Sequence, residues 1–350
     1  MYFYISYKIL FYFYFIKMCI SGNSKYLDEH GGTILLKSPN PSYDTNLKAY
    51  LKKDNDLKIT QITCEYKNFD FKNIPHFISL QNYYIHINKE TGLIIALLKN
   101  KNISDNINRK LILYCHENNR DLGEIIPSLI DFTIQFHHDF ITFDYSGYGR
   151  SLGKIDKNKF ISNSNIIINS IIKYFKYSVE NIIVIGREIG AVSALNICRN
   201  NLIKCCFLFS PVFMGLIDKK VLNDIIIPVL LIQDSSCNTI YNYKKVSEFC
   251  SKLRNIFEWT SKKKTFDKIL NEKRSKFINK VRGFIEKIEK KNSKSSLSTS
   301  SESDILKDNI NKKQLLNEEE TDLNCTYSNL VKCKNKEIII FSDEDENDDY

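Results

Sequence analysis

Apolar residues along the chain fall into short runs of two kinds, one alternating and one continuous, with helical spacing in the segments between them. From Tyr83 to Leu98 two alternating runs, Tyr84 to Ile87 and Leu93 to Leu98, flank the turn-like Asn88-Lys89-Glu90-Thr91-Gly92, which predicts a β-hairpin. Five apolar runs follow: Leu111 to Cys115, Asp139 to Asp144, Ile182 to Ile185, Cys205 to Phe209 and Val229 to Gln233. Short continuous runs of this kind read as strands buried on both faces. The segments Gly123 to Phe136, Asn158 to Lys176 and Ile189 to Arg199 each place their apolar residues on one helical face. The alternation predicts an α/β fold, a mostly parallel central sheet with helices on both faces. A last helix is predicted from about Phe266 to Ile288, packed on that sheet through Phe266, Ile269, Leu270, Phe277, Val281, Phe284 and Ile288.

The ends differ from this middle, and three regions are predicted: an aromatic, hydrophobic segment at 1–30, a folded domain at 31–290 and a Ser/Lys-rich, acidic tail at 291–350. Residues 23–56 are polar and turn-rich, so the core is expected to start after them. The tail lacks the apolar mass to offset its ordering entropy and is expected to be disordered. Its acidic end could fold back on the basic last helix, and Ser342, followed by acidic residues, suits an acidophilic kinase. At the other end Lys8 and Lys17 confine the uninterrupted apolar stretch to Ile9 to Ile16, short of the roughly 20 residues of a spanning helix. A signal-peptide core, a membrane-seeking anchor and an extension ahead of a start at Met18 stay open; in the last case Cys19 becomes a candidate lipidation site. The location implied is cytoplasmic or membrane-associated, with the secretory route still open.

Charge and cysteine usage narrow the partners. Between Lys252 and Lys291 lie fourteen basic and five acidic residues, an excess of nine that matches the formal charge of the whole chain, +9. Such a patch suits an anionic membrane surface through the basic C-terminal helix. No nucleic-acid motif accompanies it, and no nucleic-acid partner is expected. The ten cysteines are scattered, include the adjacent pair Cys205 and Cys206, and form no Cys-x-x-Cys spacing, which excludes an extracellular disulfide framework and structural zinc. Cys115, Cys198, Cys205 and Cys206 sit in apolar runs as small buried hydrophobes. His137 and His138 have no third ligand within sequence reach, and neither a metal nor a cofactor is expected.

The strand Ile182 to Ile185 runs into Gly186-Arg187-Glu188-Ile189-Gly190 and then directly into a helix. This is the setting of a nucleophile elbow, in which Gly-x-Ser-x-Gly turns sharply from strand to helix and exposes the central side chain. The two glycines are present, because the turn leaves no room for neighbouring Cβ atoms. The centre is Glu188.

Other segments fit the same pattern. Phe143-Asp144-Tyr145-Ser146-Gly147-Tyr148-Gly149-Arg150-Ser151-Leu152-Gly153-Lys154 resembles a strand-end loop of the α/β-hydrolase-domain protein depalmitoylases, a branch of the α/β-hydrolase superfamily related to serine aminopeptidase-like hydrolases. Leu113-Tyr114-Cys115-His116-Glu117-Asn118 with Asp121-Leu122-Gly123 resembles its Ser-His-Gly-Asn turn, Phe209-Ser210-Pro211 its His-Ser-Pro strand end, and Pro39 to Tyr43 its Pro-rich lead-in. The resemblance covers roughly Ile34 to Lys290 and implies the α/β-hydrolase fold with a Ser, Asp, His triad in that chain order. It places the serine at Glu188 and the acid, after Val229 to Gln233, at Cys237, with Asp234 and Asp224 nearby. It places the histidine between Trp259 and Asp267, where there is none; all six histidines, at 30, 76, 86, 116, 137 and 138, precede the elbow. The oxyanion loop would be His116, Glu117 and Asn118, with Glu117 in place of the family's glycine; its carboxylate would repel a developing oxyanion if it pointed inward.

A serine needs a positioned base, and triad members act as a unit. The chain is therefore expected to be a catalytically inactive homologue, a pseudoenzyme acting as a scaffold or binding protein for a protein partner or an apolar ligand. Two other readings stay open: an acyl (thio)esterase of non-standard chemistry using Glu188, and an apolar-ligand carrier using the old acyl pocket. Cys115 is not expected to act as a nucleophile beside His116, because successive strand residues point to opposite faces. Glu188, Glu117 and Arg187 form the candidate pocket. Arg187, Arg150 or Arg120 could neutralise its carboxylates and seal it; left open, it would favour a cationic ligand or a basic segment.

Overall fold

A computed structural model of the chain describes residues 24–27, 33–36, 38–47, 58–67, 69, 74–104, 109–212, 216–234, 243–261, 274–296 and 340–341. Cys19, Cys237, the segment 1–23 and most of the tail lie outside the described residues. In chain order the strands are β1 (Ser24–Leu27), β2 (Thr33–Leu36), β3 (Tyr43–Thr45), β4 (Lys58–Ile62), β5 (Cys64–Tyr66), β6 (Ile78–Asn88), β7 (Thr91–Asn100), β8 (Leu111–Cys115), β9 (Asp139–Phe143), β10 (Ile182–Arg187), β11 (Cys205–Phe209), β12 (Val229–Asp234), β13 (Ile256–Ser261) and β14 (Ile340–Phe341). The α-helices are α1 (Leu122–Phe136), α2 (Lys157–Lys173), α3 (Gly190–Asn200), α4 (Tyr243–Cys250) and α5 (Arg274–Ser296).

Among the described residues the main sheet runs β4-β6-β7-β9-β8-β10-β11-β12-β13-β14. It is parallel from β9 to β14 and antiparallel at β7–β9, β6–β7 and β4–β6, so the predicted mostly parallel sheet is present. Every residue of β8, β9 and β11 is buried. Successive strand side chains point to opposite faces, so full burial means that both faces are covered. Helix α1 lies on β7 and β9, and α2 packs on α3, which covers β8, β10 and β11. Two small antiparallel pairs, β1–β2 and β3–β5, stand apart from the main sheet.

The chain leaves β8 for β9 on one side and returns to β10 on the other. This reversal of strand order falls at the carboxyl ends of β8 and β10, the position at which open α/β sheets bind ligands. Glu117 and Glu188 follow those two strand ends.

Two expectations need correction. The core begins earlier than the hairpin, because Leu36, Tyr43 and Leu47 are already buried. The hairpin strands are longer than the alternating runs, since β6 and β7 pair from Ile78–Asn100 to Asn88–Thr91. The last helix is described over Arg274–Ser296, and the predicted Phe266, Ile269 and Leu270 lie outside the described residues. The chain also divides into two compact units, 273–336 forming the second. Taken by itself, α5 buries Phe277, Ile278, Val281, Phe284, Ile285 and Ile288, one stripe at helical spacing, and exposes Asn279, Gly283, Glu286 and Lys287.

Candidate functional site

The elbow is set by backbone packing. A Cβ on Gly186 would lie 2.7 Å from both Cα of Ala191 and Cβ of Ala194; one on Gly190 would overlap the Cys115 carbonyl oxygen and lie 2.7 Å from that of His116. Both are far inside contact distance, so α3 meets β10 and the end of β8 this closely only with glycine at both places. Between them Glu188 has φ 48°. This left-handed conformation is costly for a residue with a Cβ and persists only where its surroundings over-determine it. Those surroundings are the end of β11: the Glu188 N–H donates to the Phe209 carbonyl at 3.0 Å, and the Glu188 carbonyl accepts from Val212 N–H at 3.0 Å and Ala191 N–H at 3.1 Å.

Opposite the elbow, the loop after β8 carries Glu117, whose side chain is 3% exposed. Tyr114 Oη donates to Glu117 Oε2 at 2.9 Å. Two guanidinium groups converge on the other oxygen, Arg120 Nε at 3.2 Å and Arg187 Nη1 at 3.3 Å from Oε1. A buried carboxylate needs such partners to stay charged. Arg187 immediately precedes Glu188, so this ion pair ties the loop to the elbow. Burial, with the Glu117 charge beside it, pushes the Tyr114 phenol well up. Arg150 makes no part of this cluster; it binds Asp44 and donates to the Tyr43 carbonyl at 3.1 Å. Asn118 accepts from Tyr148 Oη at 2.7 Å.

His116 is buried beneath the loop. Its Nδ1 lies 2.8 Å from the Glu117 carbonyl oxygen, which can only accept, so Nδ1 carries the proton. Nε2 then faces Asp144 Oδ1 at 3.5 Å. Burial lowers the ring's pKa and raises that of Asp144 well above its ordinary value, with Asp121 adding to the latter. Both shifts disfavour the charged forms that an ion pair at this distance would need. Asp144 also accepts from Leu122 N–H at 3.0 Å and Tyr43 Oη at 2.5 Å. Asp121 caps α1 and accepts from Ser42 N–H at 2.7 Å. This acid network was not singled out from the sequence. Its traces were Asp144 at a strand end, Asp121 in the turn and Tyr43 in the Pro-rich lead-in.

No family model matches the chain. Alpha/beta hydrolase domain-containing protein 17C of Mus musculus is 29% identical over 108 residues, 31% of this chain and 34% of its own length. The Homo sapiens protein of the same name is 29% identical over 108 residues, 31% and 33% of the two chains. The match spans about a third of the length of these curated relatives. An esterase from Pyrococcus furiosus aligns in structure with TM-score 0.47 and 17% identity, covering 72% of this chain and 97% of that one. The chain is thus similar in sequence to α/β-hydrolase domain-containing proteins, and its mostly parallel, helix-covered sheet has the α/β-hydrolase fold.

The other positions that the resemblance singles out are only partly in view. Asp234 ends β12, while Cys237 lies outside the described residues. Asp224 accepts from Arg199 Nε at 3.0 Å and is half-exposed. Trp259, where the span expected to hold the histidine begins, is inside β13, and residues 262–267 lie outside the described residues. His137 ends α1 with φ 51°, and His138 Nδ1 meets the Phe136 carbonyl at 2.6 Å. Among the described residues no cluster of His, Cys, Asp and Glu could hold a metal ion, and no helix is long and apolar enough to cross a membrane. Cys115, Cys198, Cys205 and Cys206 are buried and form no disulfide.

Proposed function

We propose that this α/β-hydrolase homologue is catalytically silent and works as a binding or scaffold protein. The observation that carries the reading is the residue at the apex of the elbow: Glu188 holds the strained conformation that presents a nucleophile, with no hydroxyl to present. The lack of any histidine after the elbow supports it, since a proton taken from a nucleophile has no imidazole to receive it at the family position. His116 offers no substitute, being buried with Nδ1 on the Glu117 carbonyl and Nε2 facing Asp144. The pairing of Glu117 with Arg120 and Arg187 supports a sealed rather than an anion-binding loop.

Purified full chain should take up no fluorophosphonate probe and hydrolyse no thioester or ester. Glu188→Ser alone should restore neither, because the base is still missing. Turnover by the unaltered protein that disappears in Glu188→Gln would sink the reading.

The retained φ of 48° favours one alternative, covalent chemistry on the Glu188 carboxylate. Attack on a thioester would form a mixed anhydride and expel the thiolate, and water would then regenerate Glu188. Capture of that anhydride by hydroxylamine would reveal it. The resemblance to depalmitoylases suggests an acyl chain as the ligand class, and the basic stretch 252–291 suggests attachment to an anionic membrane surface. Co-purified lipid and sedimentation with phosphatidylserine vesicles test these two extensions.

A further inference from the structure

The parallel strands β10 to β13 begin at one end of the sheet, and the stretches leading into them are 173–181, 199–204, 224–228 and 251–255. Hydrogen bonds set these stretches side by side. Lys204 N–H donates to the Ile182 carbonyl at 2.9 Å, Cys206 N–H to the Pro228 carbonyl at 2.9 Å, and Asn255 Nδ2 to the Ile226 carbonyl at 2.6 Å.

Among the described residues, the large apolar side chains left exposed are Tyr174, Leu202 and Ile226, at 49%, 45% and 47%. A single exposed apolar residue is ordinary on a protein surface. These three fall one each on the stretches entering β10, β11 and β12, which are neighbours in the sheet. The Tyr174 ring is backed by Phe175 and Tyr83, with centroids 5.1 Å and 6.2 Å away.

Charge is distributed with the same polarity. The four stretches carry Lys173, Lys176, Arg199, Lys204, Lys252 and Arg254. Against them stand Glu180 and Asp224, and Arg199 already pairs with Asp224 at 3.0 Å. Lys173 and Arg199 sit in the last turns of α2 and α3, where the helix dipole favours a cation in any case; the other four lie beyond the helices. At the other end of the sheet, the described stretches leaving β8 to β11 carry six acidic and three basic residues.

We infer that the end of the sheet where β10 to β13 begin is a membrane-docking face: Tyr174, Leu202 and Ile226 enter the headgroup boundary of an anionic phospholipid bilayer, and the lysines and arginines around them meet its phosphates. The occupant is a bilayer and not a second copy, because two copies would set like charges against each other. The inference rests on the membrane attachment proposed above and names the face that makes it. Glu117 and Glu188 follow the opposite ends of their strands, so the docked protein turns its elbow away from the lipid, toward the aqueous side.

The full chain should sediment with vesicles of phosphatidylcholine and phosphatidylserine and not with phosphatidylcholine alone. Leu202→Asp with Ile226→Asp should weaken that binding about tenfold, with the urea unfolding midpoint unchanged because both side chains are exposed. Two readouts do not depend on that variant folding. Leu202→Trp should be quenched by brominated lipid, and vesicles should slow amide exchange over 199–204 and 224–228 in the unaltered chain while leaving 116–121 as it is. Failure of the unaltered chain to bind anionic vesicles would remove the face together with the attachment. Binding that is unchanged in the double variant, or that protects 116–121 instead, would overturn the face alone and leave the attachment to the rest of 252–291. Self-association lost in the double variant while vesicle binding persists would assign the apolar tips to a second copy and overturn the inference as well.

Discussion

At the elbow the backbone is fixed by close contacts at two glycines, whereas in the loop across from it the buried Glu117 is held by side-chain partners. The elbow tolerates little because two backbones approach within contact distance at Gly186 and Gly190, so its shape is fixed by sterics regardless of what Glu188 does. The loop tolerates more, because a buried carboxylate can be accommodated wherever cations reach it, and Arg120 and Arg187 both do. The elbow is therefore held by backbone sterics and the loop by side-chain pairing.

The largest effect should come from attacking the fixed half. Gly190→Ala puts a methyl group into the Cys115 and His116 carbonyls and should cost about 4 kcal/mol or prevent folding, read from urea unfolding. A loss under about 1 kcal/mol would mean that the elbow can relax and that its shape is not set by these contacts. In the loop, Glu117→Ala strands Arg187, 12% exposed, beside Tyr114 and should cost about 3 kcal/mol; Arg120, near the surface, contributes the smaller share. Glu117→Gln, which still accepts from Tyr114, should lose less, and equal losses in the two variants would remove the ion pairs from the account.

The buried His116 and Asp144 beneath the loop give a pH signature. For His116, with its folded pKa lowered, the stabilisation is complete above the unfolded value of about 6.5 and is lost as pH falls through the folded value. For Asp144, with its folded pKa raised, it is complete below the unfolded value of about 3.9 and is lost as pH rises through the folded value. Asp144→Asn stays neutral throughout and should flatten the alkaline loss while keeping the acidic one. An unchanged alkaline slope would show that Asp144 is ionised in the folded protein. The smallest effect belongs to the apex: Glu188→Gly relieves a left-handed residue and should stabilise the chain by about 1 kcal/mol. Destabilisation instead would mean that the Glu188 side chain makes contacts worth more than the strain.

Much of this was legible in the sequence. Strands β8 and β11 coincide with the runs Leu111 to Cys115 and Cys205 to Phe209, because a strand buried on both faces must be apolar throughout. Helices α1 and α3 fall within a residue of their apolar stripes. Strand β13 was missed, since Ile256-Phe257-Glu258-Trp259-Thr260-Ser261 carries a glutamate in its middle. That glutamate is accommodated by Gln233 Nε2 at 2.8 Å and Ser247 Oγ at 2.6 Å, partners no pattern in the segment itself reveals. Helix α4, eight residues long, offers too few turns for a periodic signal.

The sequence by itself determined the strand and helix segments, the glycine-flanked turn and the carboxylate at its centre, because period, steric exclusion and side-chain identity are all properties of neighbouring residues. Only the tertiary structure decided that Glu117 is joined by Arg187 from 70 positions away, that Arg150 serves Asp44 instead, and that the tail supplies the last strand of the sheet. Those outcomes depend on which strand ends meet in space, and the reversal of strand order between β8 and β10 sets that at long range.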